Sequence, residues 1–360
     1  MKEYQEKKAG KEVSGRSVLL GLSGGVDSVA SAVLLREKGY HVTAVTLWTW
    51  QENQADRSRI ERAERSSRIL GIPHRVLDVR QAFYNEVVVP FVEAWKGGLT
   101  PNPCVMCNPG FKFALMSDLA DQLDIHYLAT GHYARVVESD QGHWLYRALH
   151  RSQDQSYFLY RLEPSLLGRI LFPVGDLSKE DARRLARQFH DPVWETRDSQ
   201  DICFVAKNQM KAFLGRRGLE EKRGSFIDTA GEPIGEHKGS WQFTPGQRRR
   251  LGQSFGRRMT VLATDHLHNT VTLGEESAAL MEEALLTDLV LAGPQPDTFH
   301  AGVQLRSQGA PHDATVLKGP KHGEARIRFA EPVRITSPGQ SAVFYDGDQV
   351  LGGGVVADIS

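Results

Sequence analysis

Residues 17–28 read Ser-Val-Leu-Leu-Gly-Leu-Ser-Gly-Gly-Val-Asp-Ser, which predicts a strand, a tight turn and the start of a helix. The apolar run Val18–Leu22 is typical of a fully buried strand. The segment Val29–Lys38 has apolar residues on one helical face, and Gly39 would end that helix. Because free N–H groups and the positive end of the helix dipole favour an anion, the turn is predicted to hold a polyphosphate.

The turn itself has side chains suited to phosphate binding. Gly24 and Gly25 let the backbone approach a ligand closely, and Ser23 and Ser28 add hydroxyl donors. Asp27 could hold a magnesium ion that arrives with a nucleotide. The turn does not end in Gly-Lys-Ser/Thr, so it is not a Walker loop, and transfer of a γ-phosphoryl group is disfavoured. The alternative is a glycine turn between core elements that binds no ligand.

Composition narrows the class of protein. At 360 residues the chain is too long for one ordinary core, so two or three domains are expected. The 44 basic and 44 acidic residues cancel, so any nucleic-acid binding must come from local patches. Three cysteines, an odd number, argue against a secreted disulfide framework. With no apolar run of membrane-span length and no signal-peptide core, a cytoplasmic location without membrane association is expected.

The first half of the chain alternates strand-like and helix-like segments, which predicts an α/β fold with a doubly wound parallel sheet. Ligands of such sheets bind at the carboxyl ends of the strands. Leu47 and Gly131 lie at two such ends, beside the predicted phosphate turn. The predicted strands are Val18–Leu22, His41–Trp48, His74–Val79 and Ile125–Thr130, and the predicted helices are Val29–Lys38, Arg57–Leu70, Ala82–Trp95 and Phe113–Leu123.

After about residue 210, glycine and proline become frequent and short β-like pieces follow one another, as in one or two small antiparallel barrels. The stretch Glu275–Leu286 looks helical and would divide them. The predicted β pieces are Gly224–Thr229, Thr260–Ala263, Thr270–Leu273, Gly302–Leu305, Ala325–Phe329, Ser341–Tyr345 and Val350–Val356. The predicted domains are a flexible polar tail (1–16), an α/β catalytic domain (17–210), a small central β-rich domain (211–282) and a C-terminal β-barrel domain (283–360).

The cysteines allow several interpretations. Cys104 and Cys107 lie in Thr-Pro-Asn-Pro-Cys-Val-Met-Cys-Asn, and Cys203 lies in Asp-Ser-Gln-Asp-Ile-Cys-Phe. The Cys-x-x-Cys spacing is half of a zinc site, but no second half with finger spacing exists in the sequence. It also suits a thioredoxin-type redox pair. One of the two cysteines could instead pair with Cys203 across the fold, or all three could be incidental buried thiols.

Eight motifs together carry a resemblance to a known family. Ser-Gly-Gly-Val-Asp-Ser resembles the PP-loop of ATP pyrophosphatases, which cleave between the α- and β-phosphates and adenylate an oxygen. With seven further motifs in order, the chain resembles the bacterial tRNA-specific 2-thiouridylases over almost its whole length. The seven are Thr-Pro-Asn-Pro-x-x-x-Cys-Asn from residue 100, Ala-Thr-Gly-His-Tyr-Ala-Arg from 129, Asp-Gln-Ser-Tyr-Phe-Leu-Tyr from 154, Leu-Phe-Pro-Val-Gly from 171, Asp-Ser-x-x-Ile-Cys-Phe from 198, Thr-Pro-Gly-Gln-Arg-Arg-Arg-Leu-Gly from 244, and Thr-Ser-Pro-Gly-Gln-Ser-Ala-Val-Phe-Tyr from 336 with Leu-Gly-Gly-Gly from 351.

The resemblance implies a PP-loop (HUP-type) α/β domain followed by two β-rich domains, and it implies a reaction. The C2 oxygen of the wobble uridine attacks the α-phosphate of ATP, and pyrophosphate leaves. Cys203 carries the incoming sulfur as a persulfide, and Cys107 is the nucleophile that releases it, leaving a Cys107–Cys203 disulfide. ATP with Mg²⁺ would be the cofactor, and no dedicated metal site is expected. The implied nucleotide contacts are Gly21, Leu22, Ser23, Gly24, Gly25, Val26, Asp27, Ser28, Leu47 and Gly131.

The same resemblance implies tRNA as a partner, through the anticodon arm that carries the wobble uridine. The uridine would have to leave its stack to react. A persulfide sulfur-relay protein or a cysteine desulfurase would supply the sulfur, and the chain is expected to be a monomer. Among basic clusters, Arg248–Arg250 is the candidate for phosphate contact. The implied tRNA contacts are Asn102, Pro103, Cys104, His132, Gln153, Asp154, Gln155, Arg306, Ser307 and Gln340.

Two departures and three rival functions accompany the resemblance. Cys104 stands where some members carry Asp, and Pro109-Gly110 interrupts a stretch that is helical in the family. Because a thiolate is the active form of cysteine, Cys107 is expected in an electropositive, partly exposed pocket. The rivals are another PP-loop ligase (an amidotransferase or an argininosuccinate-like synthetase), an RNA-binding module without catalysis, and a zinc-stabilised scaffold.

Overall fold

A computed structural model describes residues 16–51, 54–189, 191–195, 202–206 and 208–359. The predicted tail therefore lies outside the described residues, apart from Arg16. None of the described helices is long and apolar enough to cross a membrane. The chain forms two compact units: the first comprises the described residues of Met1–Glu86, Cys104–Phe204 and Asp348–Val350, and the second those of Val87–Pro103, Val205–Gly347 and Leu351–Ser360.

The first unit contains the predicted parallel sheet, with strand order β3-β2-β1-β4-β7. Its central strand pairs in register on both sides, since Leu20 lies opposite Ala44 and opposite Ala129. A β-hairpin, β5–β6, was not predicted and belongs to the same unit. The strands are β1 (Ser17–Gly21), β2 (His41–Trp48), β3 (His74–Asp78), β4 (Tyr127–Thr130), β5 (Ala134–Ser139), β6 (Gly142–Arg147) and β7 (Ile170–Leu171).

The helices of the chain include all four that the sequence predicts; a wider π turn at Tyr84–Val88 interrupts the third, and another at Asn108–Phe113 leads into the fourth. Ser178 and Asp181 form a capping box at the start of a further helix that was not predicted. The helices are α1 (Val26–Glu37), α2 (Gln54–Leu70), α3 (Arg80–Phe83), α4 (Val89–Lys96), α5 (Pro103–Cys107), α6 (Ala114–Gln122), α7 (Pro164–Leu167), α8 (Lys179–Gln188) and α9 (Met210–Gly215).

The core of the first unit fixes where the sheet edge lies. Val18, Leu19 and Leu20 of β1 are fully buried. Val29 and Ala32 of α1 are fully buried too and belong to the same hydrophobic cluster as Leu20. Because β1, β2 and β4 are parallel neighbours, their carboxyl ends meet at one edge, where the Ser23–Ser28 turn follows β1.

The second unit contains a small four-stranded sheet of order β10-β11-β8-β9. Its strands are β8 (Gly224–Ile227), β9 (Pro233–His237), β10 (Thr260–Asp265) and β11 (Thr270–Gly274). Phe226 is fully buried at the centre of its core, with its ring centroid 5.0 Å from that of Phe243. The predicted β-rich character of this region is confirmed.

The same unit contains a six-stranded antiparallel barrel of order β12-β15-β14-β13-β16-β17, which closes because β12 also pairs with β17. Closure removes the free sheet edges that would otherwise attract other strands. The strands are β12 (Leu280–Leu291), β13 (Thr298–Gln304), β14 (His312–Lys318), β15 (Ala325–Arg334), β16 (Ser341–Asp346) and β17 (Gln349–Ile359).

The predicted helix at Glu275–Leu286 is wrong. A short 3-10 turn (Glu276–Ala278) leads instead into β12. The sequence is rich in good helix formers, but packing against β15 decides the structure. Glu283 binds Arg326 at 2.9 Å and Arg328 at 2.8 Å across the strand pair. The side chains of β12 that point into the barrel are buried; they are Met281, Ala284 and Leu286.

Candidate functional site

A cavity of about 320 Å³ opens in the first unit at the carboxyl edge of the parallel sheet. This size falls in the range of small-molecule sites, roughly 300–1,000 Å³. The lining includes predicted nucleotide contacts, one cysteine and two cations. The lining residues used below are Gly21, Leu22, Ser23, Asp27, Ser28, Leu47, Arg59, Lys112, Phe113, Gly131, His132, Gln155 and Cys203.

The Ser23–Ser28 turn is held by its own hydroxyl groups. The backbone N–H of Ser23 donates to Ser28 Oγ at 3.2 Å, and Ser28 Oγ donates to the Gly25 carbonyl at 2.8 Å. Gly25 is the N-cap of α1, so the first amides of the helix have no side-chain cap. Such amides, at the positive end of a twelve-residue helix, form an anion site.

Two glycines are required because other backbone lies against them. Gly24 has φ +71°, and a Cβ there would lie 2.3 Å from the Arg59 carbonyl oxygen of α2. Gly131 follows β4, and a Cβ there would lie 2.7 Å from the Ser28 nitrogen. Real Cβ atoms do not approach that closely, so the turn is clamped between α2 and the end of β4.

The Asp27 carboxylate is bound by two residues that the sequence analysis missed. Lys179 Nζ, at the start of α8, lies 2.8 Å from Oδ1 and 2.7 Å from Oδ2. The Tyr133 hydroxyl donates to Oδ1 at 2.7 Å. The ion pair is partly buried, with 27% of the Asp27 side chain and 19% of the Lys179 side chain exposed. The ammonium therefore neutralises the carboxylate of the turn.

Cationic groups surround the rest of the cavity. Asp27 is the only carboxylate among the described residues that line it, whereas Arg59 and Lys112 contribute positive charge. Arg59 also donates to the Cys203 carbonyl at 2.9 Å, which holds that segment beside α2. Arg62 donates to the Gly24 carbonyl at 3.1 Å. Together these groups make a site suited to a polyanion.

None of the three cysteines is disulfide-bonded, and the charge of Lys112 interacts with all three. Cys203 lines the cavity. Cys104, Cys107 and Cys203 are close enough for their charges to interact, and the Lys112 ammonium opposes the increase in pKa of Cys104 and Cys107. Burial lowers the pKa of Lys112. Its interactions with the three cysteines, of which the one with Cys107 is the largest, together raise the pKa by more, so the net shift is upward.

The expectation that Cys107 is partly exposed is wrong. Only 4% of Cys107 is exposed, and burial is the main cause that raises the pKa of its thiol to about 12. Phe111, four residues after Cys107, is only 3% exposed, so both side chains are buried. The electropositive neighbour that the sequence analysis expected is present as Lys112, but it does not overcome burial.

His132 lines the cavity and is packed among aromatic rings. Its Nδ1 lies 2.8 Å from Thr130 Oγ1, and its ring stacks on Phe113 with centroids 6.3 Å apart. Burial first, and then the charge of Lys112, lowers the pKa of His132 to about 3. The imidazole is therefore neutral at physiological pH and offers hydrogen bonds, not charge, to a ligand.

The three residues of the triplet 153–155 make different contacts. Gln155 lines the cavity, and its Oε1 accepts from the Tyr133 backbone N–H at 3.0 Å. The Asp154 carboxylate accepts instead from Ala148 N at 2.9 Å and from Ser156 Oγ at 2.8 Å. Asp154 thus braces its own turn, while the side chain of Gln153 donates to Ser152 Oγ at 3.3 Å.

In the second unit, the predicted contacts near residue 100 and near residue 340 are joined. Gln340 Nε2 donates to the Thr100 carbonyl at 2.5 Å, and Thr100 N donates to the Pro338 carbonyl at 2.8 Å. These bonds fix the loop that leads to Asn102 and Pro103. Cys104, which follows, belongs to the first unit and is half-buried.

The remaining predicted RNA contacts also lie in the second unit. Arg306 is exposed, but its guanidinium donates to the Ile335 carbonyl at 3.0 Å. The carbonyl of Ser307 accepts from Gln304 at 3.2 Å. In the Arg248–Arg250 cluster, Arg248 pairs with Glu276 at 3.0 Å. Among the residues that the structure describes, no group of three His, Cys, Asp or Glu side chains is arranged to hold a metal ion.

Comparison with known proteins identifies the family. Residues 16–207 match the family described as the tRNA methyl transferase HUP domain. Residues 211–275 match the tRNA methyl transferase PRC-barrel domain, and residues 282–356 match the aminomethyltransferase β-barrel domain. A protein named tRNA-specific 2-thiouridylase MnmA from Syntrophotalea carbinolica is 39% identical, over 95% of this chain and 99% of its own. Its namesake from Acidithiobacillus ferrooxidans is 40% identical, over 95% and 98%.

The chain belongs to the tRNA-specific 2-thiouridylase family. The thiouridylase resemblance and the PP-loop class of fold are thereby confirmed. The solved structure of a 4-thiouridine synthetase in complex with RNA and ATP is 18% identical to this chain. The match covers 50% of this chain and 42% of the synthetase. Its TM-score is 0.33, too low to bear on function.

Sequence signals existed for some of the residues that the sequence analysis missed. Ser178-x-x-Asp181 is a capping-box pattern that predicts a helix start, and Lys179 is the first residue of that helix. Tyr133 lies in the Thr-Gly-His-Tyr motif, next to His132. No local pattern, however, shows that either side chain reaches Asp27, because that contact depends on tertiary packing.

The first prediction concerns Cys107. Because the pKa of the Cys107 thiol is raised, only a small fraction of it is ionised at neutral pH, and this thiolate fraction grows about tenfold per pH unit. Alkylation of Cys107 by iodoacetamide, measured by peptide mass spectrometry, should therefore rise by that factor per unit between about pH 7 and pH 10. Lys112→Met should slow it at each pH, since the ammonium lowers the Cys107 pKa. A rate that levels off below about pH 9 would contradict the prediction.

The second prediction concerns the Asp27–Lys179 pair. Lys179→Met leaves a partly buried carboxylate without its ammonium, so we expect a loss of about 1–3 kcal/mol in the free energy of unfolding, measured with urea. In Asp27→Asn/Lys179→Met no unpaired charge remains, so most of the loss should be recovered. If the effects of the two single substitutions simply add, the pair is not coupled.

Proposed function

We propose that this protein replaces the C2 oxygen of the wobble uridine of tRNA with sulfur, using ATP. The observation that carries the proposal is the position of Cys203, which lines the same cavity as the Ser23–Ser28 turn, with Cys104 and Cys107 nearby. A thiol beside a polyphosphate site suits an enzyme that first adenylates an oxygen and then exchanges it for sulfur. The membership of the thiouridylase family supports this chemistry.

The nucleotide would occupy the turn, with Leu47 and Gly131 lining the site. The amides at the start of α1, with Arg59 and Lys112, would bind the phosphates and stabilise the charge that develops as pyrophosphate leaves. The cavity suits a Mg²⁺ ion that is shared with the nucleotide. In proteins Mg²⁺ is usually bound by one or two carboxylates together with the phosphates of the substrate. Asp27 would hold the Mg²⁺ ion, and its carboxylate would then either release Lys179 or contact both cations.

Sulfur transfer would use the two cysteines in sequence. The terminal sulfur of a Cys203 persulfide attacks C2 of the adenylated uridine. The Cys107 thiolate then attacks Sγ of Cys203 and breaks the S–S bond, so that sulfur stays on C2 and AMP leaves. The products are 2-thiouridine, AMP and a Cys107–Cys203 disulfide. Since Cys107 is buried in the free protein, tRNA binding has to open its surroundings before it reacts.

We propose that the tRNA anticodon arm contacts Asn102, Pro103, Cys104 and His132, with the 153–155 triplet and the barrel residues Arg306, Ser307 and Gln340. The Gln340–Thr100 bond supports a shared surface for two of these groups. Gln155 is the member of the triplet best placed for the reaction, since it lines the cavity. The division into domains 17–210, 211–282 and 283–360, the monomeric state and the cytoplasmic location stay predictions of the sequence.

The name of the matching domain family, tRNA methyl transferase, suggests a second chemistry, methyl addition to tRNA. A methyl transferase needs neither a PP-loop nor a thiol beside it, so the cavity favours sulfur transfer. An amidotransferase or argininosuccinate-like synthetase would also need no cysteines. Mass spectrometry of the product nucleoside distinguishes exchange of oxygen for sulfur from methyl addition.

The third prediction tests the sulfur route. The protein with ATP, Mg²⁺, tRNA and a persulfide donor should yield 2-thiouridine, measured by nucleoside mass spectrometry. Cys203→Ala should abolish the product, because no residue then carries the sulfur. Cys107→Ser should stop the reaction before release. Thiolation retained in Cys203→Ala would refute the route, and full activity of both variants would favour the cysteine-independent ligases.

The fourth prediction tests the nucleotide site. Asp27→Ala should lower tRNA-dependent pyrophosphate release at least about a hundredfold, as expected when one charge-stabilising group of a site is removed. Binding of tRNA, measured by filter retention, should change less than about twofold because Asp27 faces the cavity rather than a surface. Loss of both together would indicate that Asp27 is structural.

A further inference from the structure

The Lys179 ammonium contacts both oxygens of the Asp27 carboxylate, the group that would hold Mg²⁺ in the proposed function. Its Nζ lies 2.8 Å from Oδ1 and 2.7 Å from Oδ2. The Tyr133 hydroxyl donates to Oδ1 as well, at 2.7 Å. A carboxylate accepts at about four lone-pair positions, so these contacts use most of its capacity. The oxygens that would bind a metal ion are therefore already in contact with a cation.

The backbone of Lys179 is fixed, whereas its side chain is able to move. The Asp181 backbone N–H donates to Ser178 Oγ at 3.1 Å in the capping box that starts α8. Ala182 of the same helix is fully buried and belongs to the same hydrophobic cluster as Val29 of α1. A lysine ammonium lies at the end of a flexible four-carbon stem. The ammonium can therefore leave the carboxylate while the helix stays in place.

A metal ion and the ammonium compete for Asp27. Because Nζ contacts both oxygens, an ion bound to either oxygen would share that atom with the ammonium. Two cations on one carboxylate repel each other. With 27% of the Asp27 side chain and 19% of the Lys179 side chain exposed, water screens this repulsion only in part. Among the described residues that line the cavity, no second carboxylate could hold the metal ion away from the ammonium.

We propose that Lys179 is a place-holding cation, which keeps free Mg²⁺ off Asp27 until a nucleotide brings the ion together with its phosphates. This inference rests on the proposed function, which places a nucleotide and Mg²⁺ at the Ser23–Ser28 turn. The phosphates supply further oxygen ligands to the ion, and their negative charge accepts the displaced ammonium. Each charge keeps a partner throughout the exchange, and no covalent bond changes.

Tyr133 supports both states of this exchange. Lys179 Nζ lies 5.6 Å from the centroid of the Tyr133 ring, which is within the range of a cation–π contact. The hydroxyl of the same ring donates to Asp27, so it holds the carboxylate in place when the ammonium leaves. Tyr133 itself is only 2% exposed. Of the three side chains, the lysine is therefore the one that has to move.

The test measures binding of Mn²⁺, which takes the same oxygen ligands as Mg²⁺ and is detected by electron paramagnetic resonance. The full-length protein is titrated with Mn²⁺ in the absence of nucleotide. Lys179→Met and Lys179→Gln should bind Mn²⁺ at least about tenfold more tightly than the unsubstituted protein, a usual size for coupling between two sites. Asp27→Asn/Lys179→Met should lose this gain. Equal Mn²⁺ affinity with and without the ammonium overturns the inference.

Two control variants separate competition for Asp27 from a change in structure. Lys179→Arg keeps a cation beside Asp27, so it should bind Mn²⁺ as weakly as the unsubstituted protein. Lys96→Met removes an ammonium from an exposed carboxylate, that of Glu93, which it contacts at 2.8 Å. This change should alter the Mn²⁺ affinity less than about twofold, because an exposed pair interacts weakly. A gain in either control as large as that in Lys179→Met would contradict the proposal.

A second measurement repeats the titration with α,β-methylene-ATP, which cannot be cleaved between the α- and β-phosphates. The analogue should tighten Mn²⁺ binding at least about tenfold more in the unsubstituted protein than in Lys179→Met, because only the unsubstituted protein has an ammonium to displace. Adenosine, which brings no phosphate, should tighten Mn²⁺ binding in neither protein. Equal gains with the analogue in both proteins would show that Lys179 holds no place for the ion.

The outcomes separate the two proposals. If Asp27→Ala retains tRNA-dependent pyrophosphate release, the proposed nucleotide site itself fails. If the protein thiolates tRNA while its Mn²⁺ affinity does not depend on the Lys179 ammonium, only the place-holding role of Lys179 is wrong.

Discussion

The contact between Gly131 and the first turn of α1 is the constraint on which the site depends. The end of β4 lies so close to the backbone of Asp27 and Ser28 that a Cβ at residue 131 would lie 2.7 Å from Ser28 N. That approach fixes the next residues of the chain as well, since His132 enters the cavity and Tyr133 reaches the Asp27 carboxylate at 2.7 Å. One glycine thus sets the distance between the anion turn and the strand that completes the cavity.

Charge around the cavity follows from that geometry. Lys179 neutralises Asp27, so the positive charges of Arg59 and Lys112 make the cavity attractive to a polyanion. The charge of Lys112 interacts with the three thiols and also helps to lower the pKa of His132, which keeps that imidazole neutral. A single ammonium therefore links the nucleotide site to the sulfur chemistry, and tuning one would alter the other.

The sequence alone predicted the parallel sheet, the turn at Ser23–Ser28 and the meeting of Leu47 with Gly131 at one edge, because these depend on local patterns and on the geometry of parallel strands. It mistook β12 for a helix, since Ala, Glu and Leu favour helix locally while pairing with β15 decides the outcome. It also missed Lys179, which lies 152 residues from Asp27, because only tertiary packing brings that ammonium to the turn.

A helix interruption directly follows the buried residue Cys107. A buried thiol with a raised pKa is inert until its surroundings open, which protects it from oxidation between turnovers. The π turn Asn108–Phe113 directly follows Cys107, and Pro109 within it has no N–H to donate. The departure at Pro109-Gly110 therefore removes a backbone donor from the turn directly after Cys107, which is where the proposed reaction would require the buried sulfur to become exposed.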